Sequence, residues 1–331
     1  MANVRHPAIA GQFYPGTAQE MMKLFNSYFT NISKDEAFVR LMQDIRLGKR
    51  KLHGLIVPHA GWMYSGMVAA YAFALLKDSP FRRIIMLGPN HSVYTDKAVI
   101  DNNDYWATPF GEVKVCQTKI EDEYFIYDNI GSTNNTNNAT NNATNNANNT
   151  NNTNNTNNIN NTNYVNNVNN SIYTKYTKAV HEKEHCLEVQ LPFLQYVLAR
   201  KDGACHFEIL PIIIGDMDNT ALEKIADILV QFADEHTLFL ISTDLSHYKP
   251  IQEARKIDQE TMKIIIDLNT EESFKIDACG KNSLIVAMHL CKKLSTATGR
   301  IIKPIPLKYT TSGDVTGDYS KGVVGYVGMI F

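Results

Sequence analysis

The sequence predicts an α/β fold, with a largely parallel or mixed central sheet flanked by helices. Three short apolar runs rich in isoleucine and leucine, at residues 55–57, 84–87 and 238–241, are typical of strands buried on both faces of such a sheet. A polar motif directly follows each run. Because ligand-binding groups in open α/β sheets gather beyond the carboxyl ends of the strands, the three motifs are predicted to meet at one sheet edge.

Helix and strand signals alternate along the rest of the chain. Ser65 has the side chain of a helix cap, and Thr220 and Glu223 form the pattern of a capping box. The predicted helices span residues 65–76, 220–233, 251–269 and 281–294, and the predicted strands are 207–214, one that begins at residue 237, and 322–331. Such alternation favours a parallel sheet with helices on both faces.

Composition excludes several classes of protein. The 331 residues include 32 Lys or Arg and 34 Asp or Glu, so the formal net charge of −2 offers no basic surface for nucleic acid. The apolar runs have the length of strands rather than of a membrane span, and the first residues lack the apolar stretch of a signal peptide. Five cysteines without CxxC spacing argue against a disulfide framework. We therefore expect a cytoplasmic protein without a membrane span or a nucleic-acid partner.

Residues 134–170 form a tract of Asn with Thr, Ala and a few other residues. This composition cannot bury enough apolar surface to offset the entropy of ordering, which predicts a disordered segment. Since motif-bearing strands lie on both sides, we expect a single α/β domain over residues 1–331 that a disordered insertion at 131–172 interrupts. Loop closure entropy grows slowly with length, so a surface loop tolerates such an insertion.

Two histidines and an aspartate follow the three predicted strands. His59 and His91 each come just after a buried strand, in a turn rich in Pro and Gly. A single loop histidine usually has only a structural role, but two at equivalent positions favour a shared metal site. If a helical turn begins after the third strand, Asp244 and His247 share one face of it, as metal ligands or as an acid/base pair. In the competing interpretation, Asp244 only caps the turn.

The remaining candidate residues each have a structural explanation as well as a functional one. Cys279 precedes a predicted helix, whose dipole would favour a thiolate, although most free cysteines are small buried apolar residues. Glu184 and His185 could move protons or orient ligands, or they could form the charged start of a helix. The segment from His181 to His185 matches the HExxH pattern of zinc proteases. The match is short, charge-rich and next to the Asn tract, so the protease is a minor alternative.

Six segments together resemble the Memo family (mediator of ErbB2-driven cell motility). They are RHPAIAGQFYP from Arg5, PHAG from Pro58, LGPNHS from Leu87, EHCLEVQLPFL from Glu184, STDLSHY from Ser242, and the Cys279-Gly280 pair. The resemblance spans nearly the whole chain outside the Asn tract. An ordered set of motifs is more specific than any one of them.

The resemblance implies a fold similar to that of class III extradiol dioxygenases, which bind non-haem iron with two histidines and a carboxylate. Carried over by motif, the metal ligands here would be His59, His91 and Cys279. A thiolate in place of the carboxylate shifts the preference towards copper(I), zinc or a thiolate-ligated iron. We expect an iron or copper ion, with zinc as a further candidate.

Two functions of different classes follow from the resemblance. In the first, the protein is a metal-dependent oxidoreductase with a small-molecule substrate, and Asp244, His247 and His185 are its catalytic residues. In the second, it is a non-catalytic signalling module that binds a peptide or phosphopeptide on a dioxygenase-like fold. The first is the leading hypothesis because of the predicted cluster of ligands.

Overall fold

The structure, a computed structural model, describes residues 2–127, 180–199 and 205–331. The insertion predicted at residues 131–172 therefore lies outside the described residues. The strands in the described part are β1 (Val4–Arg5), β2 (Gly54–Val57), β3 (Arg83–Pro89), β4 (Ala98–Ile100), β5 (Tyr105–Thr108), β6 (Gly111–Val115), β7 (Phe125–Tyr127), β8 (Glu208–Ile214), β9 (Thr237–Ser242), β10 (Ile305–Thr311) and β11 (Gly325–Ile330).

Helices occur between most of these strands. The α-helices with both ends in the described residues are α1 (Ala18–Ile32), α2 (Glu36–Arg46), α3 (Trp62–Ala74), α4 (Leu191–Leu198), α5 (Asn219–Leu229), α6 (Ile251–Asp267), α7 (Lys281–Thr298) and α8 (Ser312–Thr316). Residues 180–183 are also helical. Shorter 3₁₀ turns span Glu188–Gln190, Val230–Phe232 and Thr270–Lys275. No helix in the described ranges has the length and apolar content that a membrane crossing requires.

The strands form one mixed sheet in the order β1-β5-β6-β8-β3-β9-β2-β11-β10, and β4 pairs with both β7 and β8. The four central strands β8, β3, β9 and β2 are all parallel, whereas β10 and β11 add antiparallel pairs at one side. The predicted α/β fold with a largely parallel or mixed sheet is confirmed. All four central strands consequently end at the same edge of the sheet.

Each face of the sheet has its own apolar core. Leu55 and Val57 of β2 pack into the cluster that includes side chains of α1 to α4, and Ile56 packs into the cluster of α5 to α7. Successive side chains of a strand point to opposite faces, which explains why these runs are apolar throughout. Burying each such side chain contributes roughly 1.5–3 kcal/mol. The edge that carries the polar motifs therefore rests on a sheet anchored from both faces.

Two predicted helix starts are wrong. Helix α3 begins three residues before Ser65, whose hydroxyl donates to the carbonyl of Ala60 at 2.9 Å instead of capping the first turn. Helix α5 begins before Thr220, because the carboxylate of Asp218 accepts the N–H of Ala221 at 2.8 Å. An aspartate at the helix start caps the free N–H groups and also complements the helix dipole. The later predicted helices and strands are present with shifted ends.

Strands that precede residue 128 and strands that follow residue 204 belong to the same sheet. Strand β8 lies between β6 and β3, so the later part of the chain inserts between strands of the earlier part. This interleaving supports our proposal that the chain forms a single domain rather than two.

Candidate metal centre

Three side chains converge beyond the carboxyl ends of the central strands. His59 follows β2, His91 follows β3, and Cys279 lies just before α7. Their donor atoms all lie within 4.8 Å of one another. Donor atoms that share one ion stand roughly 3–4 Å apart, given metal–ligand bonds of about 2.0–2.3 Å. The separation of 3.1 Å between His59 Nε2 and Cys279 Sγ agrees with that spacing, so these residues form a candidate metal-binding group.

The tautomer of His59 follows from its partners. Ser242 Oγ donates its one hydrogen to the carbonyl of Cys186 at 2.6 Å. It accepts a hydrogen bond from the amide of Gln190 at 3.0 Å. His59 Nδ1, which is 2.9 Å from the same oxygen, must therefore donate to it. The lone pair of His59 is then on Nε2, the atom that faces Cys279.

His91 is oriented by a carboxylate instead. Its Nδ1 lies 2.9 Å from Glu184 Oε1, and its backbone N–H donates to Oε2 at 2.7 Å. Because an ionised carboxylate only accepts hydrogen bonds, Nδ1 carries the hydrogen and Nε2 keeps a lone pair. A partner of this kind on the second nitrogen is the usual arrangement for a metal-binding histidine. The sequence indicated an orienting role for Glu184 without identifying its partner.

Cys279 lies at the predicted position before α7, with Gly280 as the helix cap. Its sulfur accepts the backbone N–H of Asp244 at 3.2 Å. The carboxylate of Asp244 accepts the backbone N–H of His59 at 2.8 Å, and its other oxygen lies 4.0 Å from His59 Nε2. The structure thus brings Asp244 into direct contact with two of the three candidate ligands.

His185 and His247, the other predicted catalytic residues, lie near the centre but outside the ligand group. The ring of His185 is centred 4.7 Å from that of His91 and 5.5 Å from that of His59. His247 packs against Tyr248, and residues 243–247 are not helical, so Asp244 and His247 do not share the face of a helical turn. Burial lowers the pKa of both His185 and His247.

Burial and the charge of Glu184 have opposite effects on the pKa values of the two histidines. Burial and then the neighbouring imidazoles lower the pKa of His59 well below its usual value. Burial would also lower the pKa of His91, but the hydrogen bond and charge of Glu184 outweigh it, so that pKa is raised. Burial opposes the ionisation of Glu184, yet its contacts with His91 bring that pKa down to about 2. His91 and Glu184 therefore stabilise each other's charged forms, and a metal ion at His91 Nε2 would have to displace the second ring proton wherever His91 is protonated.

The acidic groups on the other side of the centre behave differently. Burial raises the pKa of Asp244 to about 7, against the hydrogen bond from the backbone of His59. Burial and then the charge of Asp244 raise the pKa of Cys279 to about 12. Burial thus opposes the thiolate that the helix dipole would favour, so a bound metal ion would have to stabilise the ionised sulfur.

The HExxH pattern does not form a zincin site. The helical residues end at Lys183, so His181 and His185 do not share a helical face. His181 is fully buried, with Nε2 2.9 Å from the carbonyl of Val99 and Nδ1 3.8 Å from Asp101. Only His185 reaches the histidine cluster. The geometry therefore removes the zinc protease alternative.

A second group of potential ligands consists of His91, Glu184 and Cys186. Glu184 Oε1 already accepts hydrogen bonds from the His91 ring and from the backbone of His185 and Cys186. The thiol of Cys186 donates to the carbonyl of Pro89 at 3.3 Å. These groups are engaged with one another, which leaves His59, His91 and Cys279 as the better set.

A buried arginine, unforeseen from the sequence, supports the segment that carries Glu184. Arg5 forms a salt bridge of 2.8 Å with Glu188, and both side chains are buried. Its other nitrogens donate to the carbonyls of His181 at 2.7 Å and Glu184 at 2.8 Å. The guanidinium also lies 4.1 Å from the ring centre of Trp106. Strand β1 thereby fixes the backbone from which Glu184 reaches His91.

Comparisons with known proteins identify the family of this chain. A family model described as Memo-like protein matches residues 5–141 and 158–330. The chain belongs to the Memo-like family. Similar relatives are MEMO1 family proteins of Methanopyrus kandleri, 28% identical over 99% of this chain and 98% of the relative, and of Aquifex aeolicus, 29% identical over 99% of both. A MEMO1 family protein of Thermoplasma volcanium is 28% identical over 99% of this chain and 98% of its own.

The matched ranges include the strand ends that carry the candidate ligands. The two parts of the match leave out residues 142–157, which lie within the Asn tract. The resemblance to the Memo family inferred from six short motifs is therefore confirmed across nearly the full chain.

Proposed function

We propose that this Memo-like protein is a metal-dependent oxidoreductase in which His59, His91 and Cys279 bind one iron or copper ion. The observation that carries the proposal is the convergence of two oriented imidazole nitrogens and a sulfur within 4.8 Å. Both lone pairs are available because Ser242 and Glu184 occupy the opposite ring nitrogens. Two imidazoles and a thiol suit iron, copper or zinc better than magnesium or calcium.

The neighbouring groups support a catalytic role rather than simple storage of a metal. Asp244 contacts His59 and Cys279, and His185 lies beside both histidines, so each could transfer a proton to or from a ligand at the centre. His247 would act as a more distant acid/base group. The three together form the acid/base set of the proposal.

A bound iron or copper ion would supply the redox chemistry, and the protein would supply orientation and proton transfer. Binding requires Cys279 to lose its proton, so metal uptake should release a proton. The proposal assigns the protein to the cytoplasm, since a free thiol ligand persists in a reducing compartment.

The test is the metal content of protein purified without oxygen, measured by elemental mass spectrometry. Near-stoichiometric iron or copper is expected in the wild type, and its loss is expected in the triple variant His59→Ala/His91→Ala/Cys279→Ser with the fold retained. Full metal occupancy in that variant would refute the ligand set. Zinc alone, even after anaerobic reconstitution with Fe(II) or Cu(I), would refute the redox role.

The alternative, a non-catalytic module that binds a peptide or phosphopeptide, makes the opposite prediction. It expects no metal in the wild type or the triple variant, even after reconstitution. Peptide capture at the same sheet edge would then be the function to measure.

A further inference from the structure

A cavity of about 360 Å³ opens beside the candidate metal centre. It lies between the carboxyl ends of β3 and β8 and the start of α7, and its walls include both His91 and Cys279. A molecule in this cavity would therefore contact two of the three candidate ligands. The remaining walls indicate which chemical groups it would carry.

The first turn of α7 presents unpaired backbone donors to this cavity. Gly280 has no side chain with which to cap the helix. The N–H of Lys281 donates to Ala278 at 3.2 Å, but the N–H groups of Asn282 and Ser283 find no acceptor among the described residues. Helix α7 has 18 residues, so its dipole makes this end positive.

Ser283 provides a second, independent observation. It is fully buried, it lines the same cavity, and within the described structure its hydroxyl has no hydrogen-bond partner. Side chains of a helix tilt towards its N-terminus, which directs this hydroxyl to the same end as the two free N–H groups. A buried hydroxyl without a partner costs free energy, which a ligand oxygen would recover.

The charged groups of the cavity are of both signs. The side chain of Lys281 lines it and donates to the carbonyl of Phe274 at 3.0 Å. The carboxylate of Asp216, just after β8, lines it as well. The positive helix end and Lys281 favour an anion, whereas Asp216 favours a hydroxyl or amino group elsewhere on the same molecule.

We propose that this cavity binds the anionic end, a carboxylate or a phosphate, of the small-molecule substrate of the metal centre. The N–H groups of Asn282 and Ser283, the Ser283 hydroxyl and Lys281 hold the oxyanion. The rest of the molecule then extends towards His91 and Cys279. That the bound molecule is a substrate of the metal centre rests on the proposed function. Binding of an anion in the cavity can be tested without metal.

Calorimetric titration of the full chain, chelator-treated and metal-reconstituted, tests the inference with three probes of similar shape: benzoate, phenyl phosphate and benzamide. We expect the anions to bind the metal-free protein about tenfold more tightly than neutral benzamide, since charge-assisted hydrogen bonds are the stronger ones. The tighter of the two anions identifies the carboxylate or the phosphate as the preferred group.

Two variants and a control locate the binding. Ser283→Ala should weaken anion binding by about three- to tenfold, and Lys281→Glu by at least about tenfold. Lys23→Glu changes the net charge equally on the exposed surface of α1 and should leave the affinity unchanged. Circular dichroism and the melting temperature check that each variant is folded.

Anions that bind no better than benzamide, or an affinity that Ser283→Ala leaves unchanged, would overturn the inference. The anions could instead bind only after iron or copper is added, with an affinity that Ser283→Ala does not change. That result would mean that the anion ligates the metal. That result would overturn the anion site and leave the proposed function standing. Tight anion binding to a protein that never takes up metal would support the anion site and overturn the metal function.

Discussion

His59 and His91 leave strands on either side of β9 at equivalent positions, yet the protein holds them in different ways. The His59 arm (His59, Ser242 and Gln190) is fully buried and uses neutral partners. The His91 arm (His91 and Glu184) is one third exposed at the imidazole and uses a charged partner. Burial consequently lowers the pKa of His59, whereas Glu184 raises that of His91.

The comparison shows that two candidate ligands at equivalent positions in the fold can be oriented by partners that differ in charge and burial. Ser242 is 183 residues from His59 along the chain, but it belongs to β9, the strand next to β2, so the pairing of these two strands brings the residues together. Glu184 is 93 residues away from His91 along the chain, and its backbone is fixed by Arg5 of β1. The His91 arm therefore depends on a segment outside the central strands, whereas the contact between His59 and Ser242 follows from the pairing of two central strands. Three substitutions would break or sharpen this contrast.

The largest expected effect is from Arg5→Met, which removes the support of the His91 arm. Breaking a buried ion pair leaves Glu188 with an uncompensated charge, so the free energy of unfolding should fall by roughly 3–5 kcal/mol. Denaturant titration measures the change. The control Arg40→Met removes an exposed pair with Glu36 and should cost at most about 1 kcal/mol. Equal losses in the two variants would show that Arg5 has no special role.

Glu184→Gln comes next and acts on metal binding more directly. Glutamine keeps the shape of the side chain but loses the charge, and its NH₂ group cannot accept the hydrogen bonds that one of the two carboxylate oxygens now accepts. Removing a carboxylate that orients a metal-binding histidine typically lowers metal affinity by about 10–100-fold. Competition with a chelating dye measures the affinity. Glu112→Gln, on the exposed surface of β6, is the matched control; similar affinities in the two variants would contradict the role of Glu184.

Much of this site was predictable because its residues follow recognisable strands. Continuous apolar runs indicated the central strands, and the position of His59 and His91 after two of them predicted their convergence. The identity of Cys279 as a third group came from the family resemblance, since nothing in its local sequence separates it from a buried structural cysteine. Its proximity to His59 depends on the packing of α7 against the sheet.

The supports of the ligands were not predictable in the same way. Arg5 and Glu188 are 183 residues apart, and neither has a local pattern that separates a buried ion pair from two surface charges. Ser242 is part of a recognised motif, but its role depends on the carbonyl of Cys186, which only the fold brings within 2.6 Å. The HExxH pattern failed for a related reason, because the helix ends before the second histidine.

The smallest expected effect is from Ser242→Ala, which tests the His59 arm. The substitution removes a neutral acceptor, so His59 Nδ1 loses its partner, and the carbonyl of Cys186 keeps only the longer hydrogen bond from the amide of Gln190 at 3.4 Å. A neutral hydrogen bond contributes about 1 kcal/mol, which corresponds to a loss of metal affinity of roughly fivefold. Ser79→Ala, which removes a buried hydroxyl without a partner in the described structure, serves as the control in the same dye competition. If Ser242→Ala lowers the metal affinity as much as Glu184→Gln does, the contrast between the arms is contradicted. A neutral hydrogen-bond partner would then orient a metal-binding histidine as effectively as a charged one.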